Sequence, residues 1–172
     1  MYIRFVIFPG WGRLIFFKTE EQEVVRGGLP VVATLSNLGK RWKVSFDLKP
    51  VVLTHGFSVQ AMILARATVF HQYCNVVFTS SRAILDGRDY IPPGTAANHE
   101  LQSGEWNRIE ITHEEGENGN FFLSLSVGNR ELGKMDVGIL EQENFSDVQL
   151  YLGSNGHHSL AFTRRLLFIE KS

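Results

Sequence analysis

Short stretches that alternate apolar and polar residues, each closed off by Gly, Asn or Pro, constrain this chain more than any other feature. Trp42, Val44, Phe46 and Leu48 alternate with Lys43, Ser45, Asp47 and Lys49, a period of two that puts one set on a buried face and the other on a wet one. Trp106, Arg108 and Glu110 alternate with Asn107, Ile109 and Ile111, and Phe121, Leu123, Leu125 and Val127 with Phe122, Ser124 and Ser126. A strand with a single apolar face belongs in an antiparallel sheet that is solvated on one side.

The same signals predict strands at Tyr2 to Phe8, Arg13 to Lys18, Val31 to Ser36, Trp42 to Leu48, Phe57 to Ala65, Asn75 to Thr79, Trp106 to His113, Phe121 to Val127, Val148 to Leu152 and Phe162 to Ile169. Glu115-Gly116-Glu117-Asn118-Gly119-Asn120 reads as a hairpin loop, since Gly and Asn tolerate positive φ, and Gly128-Asn129 turns the chain again before Arg130. Ile84 to His99 contains Asp86-Gly87, Pro92-Pro93 and Pro93-Gly94, and is expected to be one long loop, the kind of segment that often carries function. Glu20 to Gly28 is expected as a helical turn or a polar loop. So many short strands without a required helix predict an all-β, two-sheet antiparallel jelly-roll sandwich. With 172 residues, residues 1–172 are expected to form one domain, because cores split only near roughly 250 residues.

Several classes are set aside by composition. Net charge is −1, from 17 Lys and Arg against 18 Asp and Glu, so no nucleic-acid-binding face is expected. Arg164-Arg165 is the one local concentration of positive charge, and adjacent strand residues point to opposite faces, so the pair is not expected to form one patch. Met1 to Phe17 is apolar but interrupted by Arg4, Pro9, Gly10, Gly12 and Arg13; it reads as two strands around a turn at Phe8 to Gly12, neither a membrane span nor a targeting segment. The lone cysteine, Cys74, has no internal partner for a disulfide and reads as a small buried hydrophobe.

Trp42-Lys43-Val44-Ser45-Phe46-Asp47-Leu48-Lys49-Pro50 resembles the signature strand of concanavalin A-like, laminin-G-like domains of extracellular animal proteins. Leu101-Gln102-Ser103-Gly104-Glu105-Trp106-Asn107-Arg108-Ile109-Glu110-Ile111 is similar to the family's G-x-W-x-x-hydrophobic-x-hydrophobic strand. Asn144-Phe145-Ser146-Asp147-Val148-Gln149-Leu150-Tyr151 is similar to its late strand. The resemblance runs from Lys40 to Glu170. It implies a jelly roll whose terminal strands lie together, Tyr2 to Lys18 beside Phe162 to Ile169. Where relatives continue into a Trp-Tyr loop, this chain has Ser154-Asn155-Gly156-His157-His158-Ser159.

A retaining glucanase needs two carboxylates about 5 Å apart, supplied in this superfamily by acids at i, i+2 and i+4 on one strand face, and no strand offers that series; Glu20, Glu21 and Glu23, like Glu114, Glu115 and Glu117, read as solvated charge. Asp86 and Asp89 flank Gly87 and, with carbonyls from Leu85 or Tyr90, would offer a set of oxygens to calcium; an Asx turn accounts for them as well. His71 lies three residues before Cys74, which matters only on a helix. His157 and His158 read as an exposed polar turn, with metal ligation or pH sensing as the alternative. Asn144-Phe145-Ser146 is a formal glycosylation sequon.

The resemblance and the missing acid series together imply a non-catalytic, lectin-like binding or adhesion module, extracellular or secreted, that recognises a glycan or matrix ligand through loops at one edge of the sandwich. Arg88, Tyr90, Asn98, His99 and Trp11 are the candidate ligand-binding residues, and Asp86 and Asp89 the candidate metal ligands. A structural domain packing on copies of itself or on neighbouring domains is the alternative, motivated by 13 Phe, and a glucanase-like hydrolase is the third reading.

Overall fold

Period-two alternation becomes two stacked sheets in the computed structural model, which describes residues 12, 14–25, 27–37, 39–66, 71–87, 94–138, 146–153 and 160–170. Every regular element among them is a β-strand, numbered here in chain order. One sheet of seven strands runs in the order β1 (Leu14–Lys18), β13 (Ala161–Glu170), β4 (Trp42–Pro50), β9 (Asn107–Glu115), β10 (Phe121–Val127) and β11 (Arg130–Gly138), and the short β2 (Gln22–Glu23) adds to β13. The other sheet, of six, runs β3 (Val31–Asn37), β12 (Ser146–Gly153), β5 (Ser58–Arg66), β6 (His71–Thr79), β7 (Arg82–Asp86) and β8 (Thr95–Asn98). Sequence neighbours β4 and β5 lie in different sheets, as do β12 and β13, and the chain is therefore a two-sheet antiparallel jelly-roll sandwich. Among the described residues no helix is long and apolar enough to cross a membrane.

The core is the meeting of the two inward faces. Val44, Phe46 and Leu48 of β4, Ile109 and Ile111 of β9, Leu123 and Leu125 of β10 and Phe168 of β13 come from one sheet; Val59 of β5, Val76 and Phe78 of β6, Leu85 of β7 and Leu150 of β12 come from the other, and all are buried. Full burial of each such side chain contributes roughly 1.5–3 kcal/mol. The expected terminal pairing is present for the described part, β1 lying antiparallel to β13. Trp42 is buried, as its place at the head of the alternation predicts.

At one end of that core three rings form a stack. The imidazole of His113 lies between Trp42, at 5.3 Å and 16°, and Phe121, at 5.1 Å and 18°. Burial lowers the His113 pKa from 6.5 to about 4, and the Lys40 carbonyl, 2.5 Å from Nδ1, opposes that shift. The indole N–H of Trp42 is buried there with no hydrogen-bond partner.

Several expectations are corrected. Ile84 to His99 is not one loop: β7 continues to Asp86 and Thr95–Asn98 forms β8, paired with Arg82 to Leu85. Its Pro and Gly signals confine the break to the connection between these strands instead of spreading it over the whole segment. Glu20 to Gly28 supplies β2 rather than a helical turn, with Gln22 and Glu23 pairing Thr163 and Phe162. His71 lies on strand β6 and not on a helix, so it makes no helical pair with the buried Cys74. The outer face of β4 is not uniformly wet, because Ser45 is 1% and Asp47 6% exposed. Tyr2 to Phe8, the sequon's Asn144 and Phe145, and the loop holding His157 and His158 lie outside the described residues.

Arg164 and Arg165 do converge on one point, against the expectation from regular strand geometry. Leu167 pairs with Ser45 and Arg164 with Asp47, so β13 advances three residues while β4 advances two. This is a β-bulge. Arg165 sits in it with φ of 52°, the one non-glycine residue with positive φ among those described, and both arginines reach the carboxylate of Asp47.

Candidate functional site

Hairpin register lines up the outward side chains of three adjacent strands. Phe122 of β10 is paired with Glu114 of β9 and Asp136 of β11, and Ser124 with Thr112 and Lys134. Their strand neighbours Ile111, His113, Phe121, Leu123 and Met135 are all buried, so these six point away from the core. They floor an open groove of about 490 Å³.

The hairpin joining β9 to β10 is the wall. Gly116 N–H donates to the Asn120 carbonyl at 2.7 Å, and Gly119, with φ of 78°, turns the chain where a side chain would be strained. The backbone of Gly116 runs against the edge of Phe122, since a Cβ there would lie 2.5 Å from the ring. The Lys134 ammonium sits 4.9 Å from the ring centroid. Asp136 is held by two donors, the Asn120 amide at 2.8 Å and the Gly138 N–H at 2.7 Å. Glu117 and Asn118 complete the wall, and Arg41 braces it through an ion pair with Glu115.

The groove therefore offers one half-buried aromatic ring, an ammonium, carboxylates and side-chain amides, on an open sheet face. That is a set of partners for the hydroxyls and the C–H face of a sugar, in which polar groups fix orientation while an aromatic supplies apolar contact. The outward residues of β9 read Arg108, Glu110, Thr112 and Glu114, with threonine where an unbroken acid series would need a third carboxylate. Among the described residues no group of three His, Cys, Asp or Glu is arranged to hold a metal ion.

Of the residues expected from sequence at the sandwich edge, Asp86, Asn98 and His99 are described. His99 turns back on the chain: its Nδ1 accepts from the Leu101 N–H at 3.2 Å, which leaves Nε2 protonated to donate to the Thr79 carbonyl at 2.8 Å, and the ring lies 5.7 Å from that of Phe78. Asn98 is exposed at the end of β8, paired with Arg82. Asp86 stands at the far end of β7, roughly 13 Å along the strand from Arg82, and the fold does not bring it to Asn98 or His99. Its carboxyl faces the Asn75 amide at 3.5 Å; burial raises its pKa, and the Asn75 hydrogen bond opposes the rise. Burial, and the charge of Asp86, push the Cys74 thiol up, which removes it as a nucleophile. Trp11, Arg88, Asp89 and Tyr90 lie outside the described residues.

No family model matches the chain, and no curated protein matches it. Solved structures do. The CBM40 of the Ruminococcus gnavus IT-sialidase, bound to alpha2,3 sialyllactose, superposes with a TM-score of 0.63 at 9% identity over 92% of each chain. The binding domain of botulinum neurotoxin serotype D gives 0.58 at 9% identity, over 92% of this chain and 48% of that one, so this chain spans about half the length of the toxin domain. An endo-beta-1,4-glucuronan lyase from the fungus Trichoderma reesei gives 0.55 at 8%, over 91% and 76%. At such identities the likeness is one of fold, the all-β jelly-roll sandwich. The laminin-G-like resemblance has no matching family behind it.

Proposed function

We propose that this chain is a non-catalytic glycan-binding module of an extracellular protein, and that it holds its ligand in the groove over Phe122 on the seven-stranded sheet. The observation that carries the reading is the shared level of Glu114, Phe122 and Asp136, with Asn120 and Lys134 beside them, which places hydrogen-bonding groups around a single aromatic ring. The sialyllactose-bound CBM40 with the same fold supports it. Engagement of both ring nitrogens of His99 by backbone favours the sheet face over the Asp86 to His99 edge as the seat of binding.

A glycan array run with the folded chain, with and without calcium, tests the reading. Binding to a defined set of glycans is expected, falling at least tenfold in Phe122→Ala at unchanged melting temperature. Loss on chelation would restore Asp86 and Asp89 as calcium ligands. A folded sample silent under both conditions, or a Phe122→Ala variant that binds as the wild type does, would overturn it. The assembly reading gains little, since the exposed large apolar side chains among the described residues are Val25, Val31 and Val52. A hydrolase would turn over β-glucans, and the neighbouring lyase makes that control worth running.

A further inference from the structure

We infer that the same sheet face carries an anion subsite, built by Arg108, Arg164 and Arg165 around Asp47, that takes the carboxylate or sulfate group of an acidic glycan. The inference rests on the glycan-binding reading and adds the chemical class of the ligand.

Three guanidiniums converge on one carboxylate. Arg108 Nη1 lies 3.0 Å from Asp47 Oδ1, and Arg164 Nε and Arg165 Nη1 lie 3.1 and 3.7 Å from Oδ2. Arg108 also donates through Nη2 to Ser45 at 2.8 Å. One negative charge against three positive ones leaves a surplus of two at a point where a single bidentate arginine would satisfy the buried acid. Such a surplus is mutually repulsive in the free chain and is relieved by an incoming anion.

The chain is bent to produce this arrangement. On a regular strand Arg165 would face away from Arg164, and the bulge turns it to the same carboxylate at the cost of a positive φ that an arginine rarely adopts. A lone structural ion pair does not need that distortion. Bulges commonly re-aim a side chain beside a functional site. Arg164 is further fixed by Trp106, whose ring centroid lies 4.1 Å from its guanidinium carbon; Lys49 packs on the same ring at 4.5 Å, with its charge met by Glu21 at 3.5 Å. Arg164 meets Asp47 through Nε, so its two terminal nitrogens remain as a fork of donors. Arg108 stands on the same strand face as Thr112 and Glu114, roughly 13 to 20 Å along β9, so one oligosaccharide lying across the sheet reaches both subsites.

Titration calorimetry with three matched probes tests this: β-1,4-oligoglucuronate, the cello-oligosaccharide of equal length, and its sulfated form. The wild type is expected to bind the oligoglucuronate, the sulfated probe, or both at least tenfold more tightly than the neutral one, which names the anion. Arg165→Gly, which relieves the positive φ, is expected to keep or raise the melting temperature while erasing that preference, and Arg165→Lys to retain most of it. Equal affinity for charged and neutral probes, or a charge preference that survives Arg165→Gly, overturns the anion subsite and leaves the glycan reading standing. A melting temperature that falls in Arg165→Gly with weakening toward all three probes would make the arginine structural and overturn it too. No binding of any probe by folded wild type, together with a silent array, removes both.

Discussion

Protonation of His113 should make this chain acid-sensitive. Its imidazole is sandwiched between Trp42 and Phe121, with its Nδ1 against the Lys40 carbonyl, so the folded protein holds it neutral until about pH 4. In the unfolded chain the ordinary value of 6.5 applies. The folded pKa is the lower of the two, so between them the unfolded state binds a proton that the native state does not, and stability falls as the pH drops from about 7 toward 4. Linkage over that gap gives a loss of roughly 2–3 kcal/mol by pH 4.5 relative to pH 7.5, a large part of the 5–15 kcal/mol typical of a domain. Urea unfolding at the two pH values, followed by tryptophan fluorescence, measures the loss directly. His113→Phe keeps an aromatic in the stack and removes the titration, so its pH dependence should be smaller than that of the wild type by the same roughly 2–3 kcal/mol. An unchanged pH dependence in the variant, or an NMR titration of His113 with a midpoint near 6.5, would refute the reasoning.

Two further outcomes follow from packing. Phe46→Ala removes a fully buried ring between the sheets and should cost about 3–5 kcal/mol in chemical denaturation, whereas a cost under about 1 kcal/mol would mean that the two faces do not share this interior. Gly116→Ala would place a methyl group within the van der Waals envelope of Phe122; the ring is expected to swing out of the groove, weakening glycan binding on the array by about tenfold, or roughly 1.4 kcal/mol, with only a small shift in melting temperature.

The sequence told most where burial has a period. β4, β9 and β10 were legible because each has one apolar face, and their observed bounds lie within two residues of those expected. β8 was not, since Thr95-Ala96-Ala97-Asn98 has neither bulk nor alternation, and its extended form comes from pairing with β7. Phe122, Ser124 and Glu114 could be seen to face outward. That they stand level with Lys134 and Asp136 depends on register across two hairpins, one of which includes a shift between Leu125 and Ser126. The bulge at Arg165 was beyond reach for a different reason: positive φ is normally announced by Gly, Asn or Asp, and here an arginine adopts it. Arg164 and Arg165 would face opposite ways on a regular strand, and the bulge removes that regularity.

The groove divides into parts with different freedom to change. Its floor belongs to strands whose other faces are core, so a substitution there that disturbs the backbone is felt throughout the sandwich. Its wall is the tip of one hairpin, where Glu117 and Asn118 are exposed and pack against no interior. Loop tips of this kind accept insertions at small thermodynamic cost. Descendants of this chain could therefore acquire a preference for a different ligand by lengthening or rewriting a few residues between Glu115 and Asn120, with the interior left as inherited.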